Sequence, residues 1–168
     1  MDFKDSLKIG KRAEEFAECY FKKKQFKYID VRNEKEYQLI DVDYLVNNER
    51  YEVKQNYHNA LKGHKGFYFW VELSIDDKAG WYYFNKTDYF FFIGENTGII
   101  IKNDDKFKNL IDDFIENGNH SEHGKNRYDY KQDKRYNGYV TAKLMRVYID
   151  DLKNIEIVKV AKRKKVLN

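Results

Sequence analysis

Between Leu39 and Gln55 charged and apolar side chains alternate about a pair of asparagines, a pattern that reads as strand, turn, strand. Asn tolerates the left-handed backbone of a two-residue turn, so Asn47-Asn48 folds the chain back and pairs Val46 with Glu49. Counting outward sets Asp43 opposite Glu52 and Asp41 opposite Lys54. Side chains two apart on a strand share a face. Asp41, Asp43, Glu52 and Lys54 are therefore expected as a charged square on one side, with Val42, Tyr44, Tyr51 and Val53 on the other. A turn longer by two residues changes the direct opposites and keeps all four on one face.

Three carboxylates on one face repel one another unless a proton or a cation intervenes. Magnesium takes a few carboxylate or carbonyl oxygens and keeps several waters, which suits Asp43, Glu52 and the backbone carbonyl of Val53, with Asp41 as a neighbouring acid or further ligand. Lys54 adds a cation that can orient a water or offset charge developing on a phosphate. The competing reading is a solvated hairpin face with a cross-strand salt bridge, a feature contributing about 0.2–1 kcal/mol.

The rest of the chain supplies a frame for that hairpin. Ile9, Ala13, Phe16, Ala17, Tyr20 and Phe21 recur at helical spacing between Ser6 and Lys24, and Lys22-Lys23-Lys24 suits the negative end of the helix dipole. Phe26 to Val31 reads as a short strand, Leu39 to Val46 as a longer one, and Arg50 to Gln55 as its partner. Asn56 to Gly66 is a polar loop, and Phe67 to Leu73 is a further strand. Tyr89 to Ile93 and Gly98 to Lys102 form a second hairpin. Asp104 to Glu116 is an amphipathic helix carrying Phe107, Leu110, Ile111, Phe114 and Ile115. Almost no aliphatic residue falls between Gly118 and Asn137, which reads as a flexible loop, and strand-like runs return from Tyr139. This order argues for an α/β protein with a mixed sheet and a helix on at least one face. The expected division is a core over residues 1–117, a flexible loop over 118–138 and a strand-rich extension with a basic tail over 139–168.

With these residues in view, Asp43, eight intervening residues and then Glu52-Val53-Lys54 resemble the signature of the PD-(D/E)XK nuclease superfamily. Gly10-Lys11-Arg12-Ala13-Glu14 is similar to the Gly-x-x-Ala-Glu opening of archaeal Holliday-junction resolvases, and Gln55 after the lysine also occurs in several branches. Phe69-Trp70-Val71-Glu72, Gly80-Trp81 and Thr87-Asp88-Tyr89-Phe90 look like the second half of phage and prophage members. The resemblance spans residues 6 to 115. No proline precedes Asp43, and nothing beyond Gly118 takes part. It implies a restriction-endonuclease-like αβββ core with further strands and a helix. It also implies a magnesium-dependent endonuclease hydrolysing DNA phosphodiester bonds, with manganese substituting, and a homodimer. Asp43 and Glu52 would be metal ligands with the Val53 carbonyl, Lys54 the catalytic cation and Glu14 an accessory acid. An ordinary solvent-side role for Glu14 stays open, as does a choice for Glu72 between extending the site and lying at a strand end. The second functional reading is a non-catalytic regulator that binds nucleic acid or protein on the same fold.

Composition bounds these readings. With 42% hydrophobic and 36% charged residues the chain is too apolar for disorder throughout and too charged for a membrane span. The start lacks the apolar segment of a secretory signal, so the cytoplasm is the expected compartment, with no membrane partner. The single cysteine, Cys19, is expected to be packed or partly buried on the first helix, and cannot build a zinc site. His120-Ser121-Glu122-His123 has too few further ligands for one either. A net charge of +4 permits DNA as a partner without demanding it. Gln55, Lys62, Lys65, Arg127, Lys131, Lys134 and Arg135 are the candidate DNA contacts, and Lys162 to Lys165 is either a phosphate-contacting run or a frayed terminus. Trp81 and the tyrosines are for the most part expected in the core, although exposed rings can stack on bases.

Overall fold

The stripe at positions 13, 17 and 21 makes the first helix: α1 (Phe3–Lys23) buries Ala13, Ala17 and Phe21, with Phe16 and Tyr20 partly covered beside them. It ends without glycine. Gln25 takes a left-handed φ of 57°, and the bonds Phe26 N–H to Phe21 O and Gln25 N–H to Lys22 O, both 3.0 Å, close a Schellman turn. The computed structural model describes residues 3–55, 68–76, 78–94, 97–117, 128–135 and 138–161.

After α1 come β1 (Tyr28–Asp30), one helical turn α2 (Lys35–Gln38), β2 (Tyr44–Val46) and β3 (Glu49–Gln55). Then follow β4 (Tyr68–Ile75), β5 (Lys78–Ala79), the single turn α3 (Trp81–Phe84), β6 (Tyr89–Ile93), β7 (Thr97–Lys102) and α4 (Asp105–Asn117). The chain closes with β8 (Tyr128–Arg135), β9 (Gly138–Tyr148), a 3₁₀ turn (Ile149–Leu152) and β10 (Ile157–Ala161). Six strands form a mixed sheet in the order β1-β2-β3-β6-β7-β10, in which β3 and β6 are parallel. Four form a second sheet, β5-β4-β9-β8.

Why the large sheet sits in the middle is visible in β6. Its sequence, Tyr-Phe-Phe-Phe-Ile, is apolar on both faces, as a strand covered on both sides must be. Phe91 and Ile93 turn toward α1, where they meet Phe21, Tyr44, Val46, Tyr51 and Val53. Phe90 and Phe92 turn the other way, against Phe69, Val71, Met145 and Val147 of the second sheet, Phe107 and Ile111 of α4, and Trp81 of α3. The Phe69 and Phe92 rings stack across the two sheets with centroids 4.0 Å apart. No helix among the described residues is long and apolar enough to cross a membrane.

Three expectations need correction. The strand expected from Leu39 is only Tyr44–Val46. Tyr37 O accepts the N–H groups of Ile40 (3.2 Å) and Val42 (3.1 Å), and Asp41 has a left-handed φ of 57°, so this stretch is a turn whose alternation merely mimics a strand. Part of the segment read as a loop, Tyr128–Arg135, is strand β8, paired with β9 along its whole length. Its polar sequence carries no apolar alternation because backbone pairing at a sheet edge does not require one. Cys19 is exposed, because it lies two residues beyond the buried Ala17 and so on the opposite side of α1.

Candidate functional site

Asn47 and Asn48 both take left-handed φ, 51° and 70°, as a two-residue hairpin turn requires. The register follows: Val46 pairs with Glu49, Leu45 with Arg50 and Tyr44 with Tyr51. Beyond Tyr44 the regular ladder stops. The Asp43 N–H donates to Tyr51 O at 2.9 Å, and Asp43 Oδ2 accepts the Val53 N–H at 2.8 Å, so a side chain stands in for the departed strand. Of the expected apolar half, Tyr44, Tyr51 and Val53 face α1, while Val42 is buried in the turn that precedes β2.

On the opposite face of β3, Glu52 and Lys54 point toward α3. Lys54 Nζ lies 2.6 Å from Glu52 Oε1, 2.7 Å from Asp41 Oδ2 and 5.1 Å from the centre of the Trp81 ring. Asn85 Nδ2 donates to Asp41 O at 3.1 Å, holding the Asp41 turn in place. This face is no solvated hairpin surface, since Glu52 is only 4% exposed and its Oε2 is buried with no hydrogen-bond partner. Trp81 is buried 5.1 Å from the Phe90 ring and is part of the core.

Burial sets the electrostatics. It pushes the Asp43 carboxyl up to about 6, against the pull of the Val53 N–H and Lys54 and with the help of Asp41 and Glu14. Burial likewise holds Glu52 well above the usual carboxylate range; Lys54 opposes this, and Asp43 and Asp41 reinforce it. For Lys54 burial acts downward, but the Glu52 and Asp41 carboxylates outweigh it and keep the ammonium protonated. Three acids therefore outnumber the one ammonium in a poorly solvated place.

Glu14 belongs to an adjoining cluster that the sequence did not reveal. It pairs with Arg32, which also binds Asp30 (Nε to Oδ1, 2.8 Å) and Glu18 (3.4 Å) and lies 5.0 Å over the Tyr44 ring. The Tyr44 hydroxyl donates to Glu18 at 3.1 Å. Arg32 follows β1 with no motif around it, so only the folded chain brings it to α1. Gln55 ends β3 and its Oε1 is buried with no hydrogen-bond partner. Glu72 lies within β4, at the bulge between Glu72 and Ser74, rather than at a strand end. Lys131, Lys134 and Arg135 fall on β8, whose side chains are outside the described part. Lys62, Lys65, Arg127, His120, His123 and Lys162 to Lys165 lie outside the described residues.

Among the described residues no three Asp, Glu, His or Cys side chains converge as a ready cage for a metal ion. Asp41 and one oxygen of Glu52 are both turned to Lys54, so the acid oxygens whose burial a cation would relieve are Glu52 Oε2 and those of Asp43. The orphaned Glu52 Oε2 and the excess of carboxylate fit a magnesium ion, which needs few protein oxygens because it keeps several waters. Comparison of the chain with protein-family models, with curated proteins and with solved structures finds no match.

Proposed function

We propose that the protein is a metal-dependent endonuclease that hydrolyses DNA phosphodiester bonds, built on a restriction-endonuclease-like arrangement of the mixed sheet. The observation that carries this reading is the meeting of Asp41, Glu52 and Lys54 on a face of β3 that is largely closed to water, with Asp43 bonded to the backbone of the same strand. A structural ion pair needs one acid for one ammonium; here acids are in excess and one buried oxygen has no partner.

Asp43 and Glu52 would hold magnesium or manganese, with the Val53 carbonyl and Asp41 as further oxygen donors. Bound there, the metal would supply Lewis-acid polarisation of a phosphoryl oxygen and a more acidic water. Lys54 offsets the negative charge that grows on the phosphate as water attacks in line and the 3′ oxygen departs. Glu14, held by Arg32, acts as an accessory acid beside Asp43. Cutting both strands of a duplex asks for two such sites, which a homodimer would provide.

The test is incubation of supercoiled plasmid in magnesium and in chelator. The wild type should nick or linearise the plasmid only with metal. Asp43→Asn and Glu52→Gln, which keep shape and hydrogen-bonding oxygens, should slow this by roughly a hundredfold or more. An intact plasmid with the wild type in both magnesium and manganese would overturn the reading. A second reading, a non-catalytic regulator on the same fold, is favoured by the closed pairing of Lys54 with both Asp41 and Glu52. Retarded DNA without nicking would identify it.

A further inference from the structure

The turn α3 splits its four side chains between the protein and water. Trp81 and Tyr82 are anchors: Trp81 is 7% exposed beneath Lys54, and the Tyr82 hydroxyl donates to Asp112 Oδ1 at 2.9 Å on α4, with Lys108 O as an alternative acceptor 3.3 Å away. Tyr83 and Phe84 face outward, 54% and 43% exposed. Side chains three apart on a helix have Cβ atoms about 5–6 Å from each other, so Phe84 rises close to Trp81, whose ring is 5.1 Å from Lys54 Nζ. Leu39, 70% exposed, is joined to the same rim: the Lys86 N–H donates to Ile40 O at 3.1 Å and Asn85 to Asp41 O.

The turn that carries these rings is held by its backbone. The Gly80 N–H donates to Leu73 O at 2.9 Å, and Asn85 N–H closes the turn on Trp81 O at 3.0 Å. Exposed aromatic rings on a fixed turn present flat faces, and every nucleobase has a flat face to set against them. Lys86, exposed two residues beyond Phe84, brings positive charge for a neighbouring phosphate.

We propose that Tyr83 and Phe84 form a stacking platform for unpaired bases of single-stranded DNA, seating the strand so that an adjacent phosphodiester meets Asp43, Glu52 and Lys54. The platform deepens the nuclease reading and rests on it for the role of the adjacent phosphodiester. It makes the preferred substrate a strand with unpaired bases: a single strand, a flap or a frayed end. Duplex DNA keeps its bases stacked on one another and gains nothing from the rings.

The experiment is fluorescence anisotropy of a labelled single-stranded oligodeoxynucleotide and of its duplex, titrated with the full chain in chelator at fixed salt, so that binding is read without cleavage. The wild type should bind the single strand more tightly. Tyr83→Ala and Phe84→Ala should each weaken that binding by about five- to a hundredfold and leave duplex binding unchanged. Tyr83→Phe, which keeps the ring, should bind as the wild type does, and matched melting curves report that the variants fold. Alanine variants that bind the single strand as the wild type does would overturn the proposal. So would a wild type that binds strand and duplex alike, or neither. The plasmid assay separates the two ideas: loss of single-strand binding in the alanine variants of a protein that never cuts leaves the platform standing and removes the nuclease. Cutting by a protein whose alanine variants keep full single-strand binding does the reverse.

Discussion

Asp43 keeps its proton up to about pH 6 in the folded chain because burial disfavours the carboxylate, whereas its ordinary value is 3.8. A folded-state value above the unfolded one stabilises the protein fully at low pH, and this contribution is lost as pH rises through 6. The difference corresponds to at most about 3 kcal/mol. In chelator, the wild type should therefore lose stability relative to Asp43→Asn between about pH 4 and pH 7, with the variant the more stable at pH 7. Urea unfolding at the two pH values measures it; equal pH slopes in the two proteins would mean that Asp43 is not buried as described. Asp30 and Asp88, lowered by their hydrogen bonds to Arg32 and Arg50, titrate below this window and do not blur it. At this scale much of the site was legible, since a two-residue turn and strand alternation are local rules that put Glu52 and Lys54 on one face. Arg32 and Asn85 were not legible, and neither was the place of Trp81 beneath Lys54. Their contacts cross long stretches of sequence, and no short-range pattern encodes them.

The elements around the site depend on close approaches that a glycine permits. At Gly80 an added Cβ would lie 2.2 Å from Glu72 O and 2.8 Å from the Leu73 carbonyl carbon, both backbone atoms that cannot swing aside. Gly80→Ala should therefore push α3 off β4, cost roughly 1–3 kcal/mol and loosen Trp81 from Lys54. Thermal unfolding together with tryptophan fluorescence would report both effects, and an unchanged melting temperature would show that α3 does not dock as described. α1 and α4 declared themselves through helical spacing of apolar residues, and β6 and β7 through short apolar runs. The end of α1 did not, because Gln25 occupies the left-handed position where glycine ordinarily signals a stop. Nor did β2 show its true length, because a turn with alternating residues looks like a strand to any rule of period two.

Across the molecule, one apolar cluster takes Phe90, Phe92, Ile99 and Ile101 from the large sheet and Phe69, Val71, Met145 and Val147 from the small one. Sheets that share a core should melt together. Phe92→Ala, which removes the ring stacked on Phe69, should cost about 3–5 kcal/mol while keeping one transition in both circular dichroism and fluorescence. Two separated transitions would contradict a shared core. The mixed sheet with helices was foreseen from element order, but the second sheet was not, because strand partners are chosen by tertiary packing and β8 carries almost no apolar residues of its own. The central claim is that this frame buries an excess of acids able to hold a hydrated divalent cation. Calorimetric titration of magnesium into the chelator-stripped protein at pH 7 tests it most directly. The account predicts saturable binding by the wild type that Asp43→Asn weakens at least about tenfold and Glu52→Gln weakens likewise; absence of magnesium binding by the wild type, or equal binding by all three proteins, would contradict it.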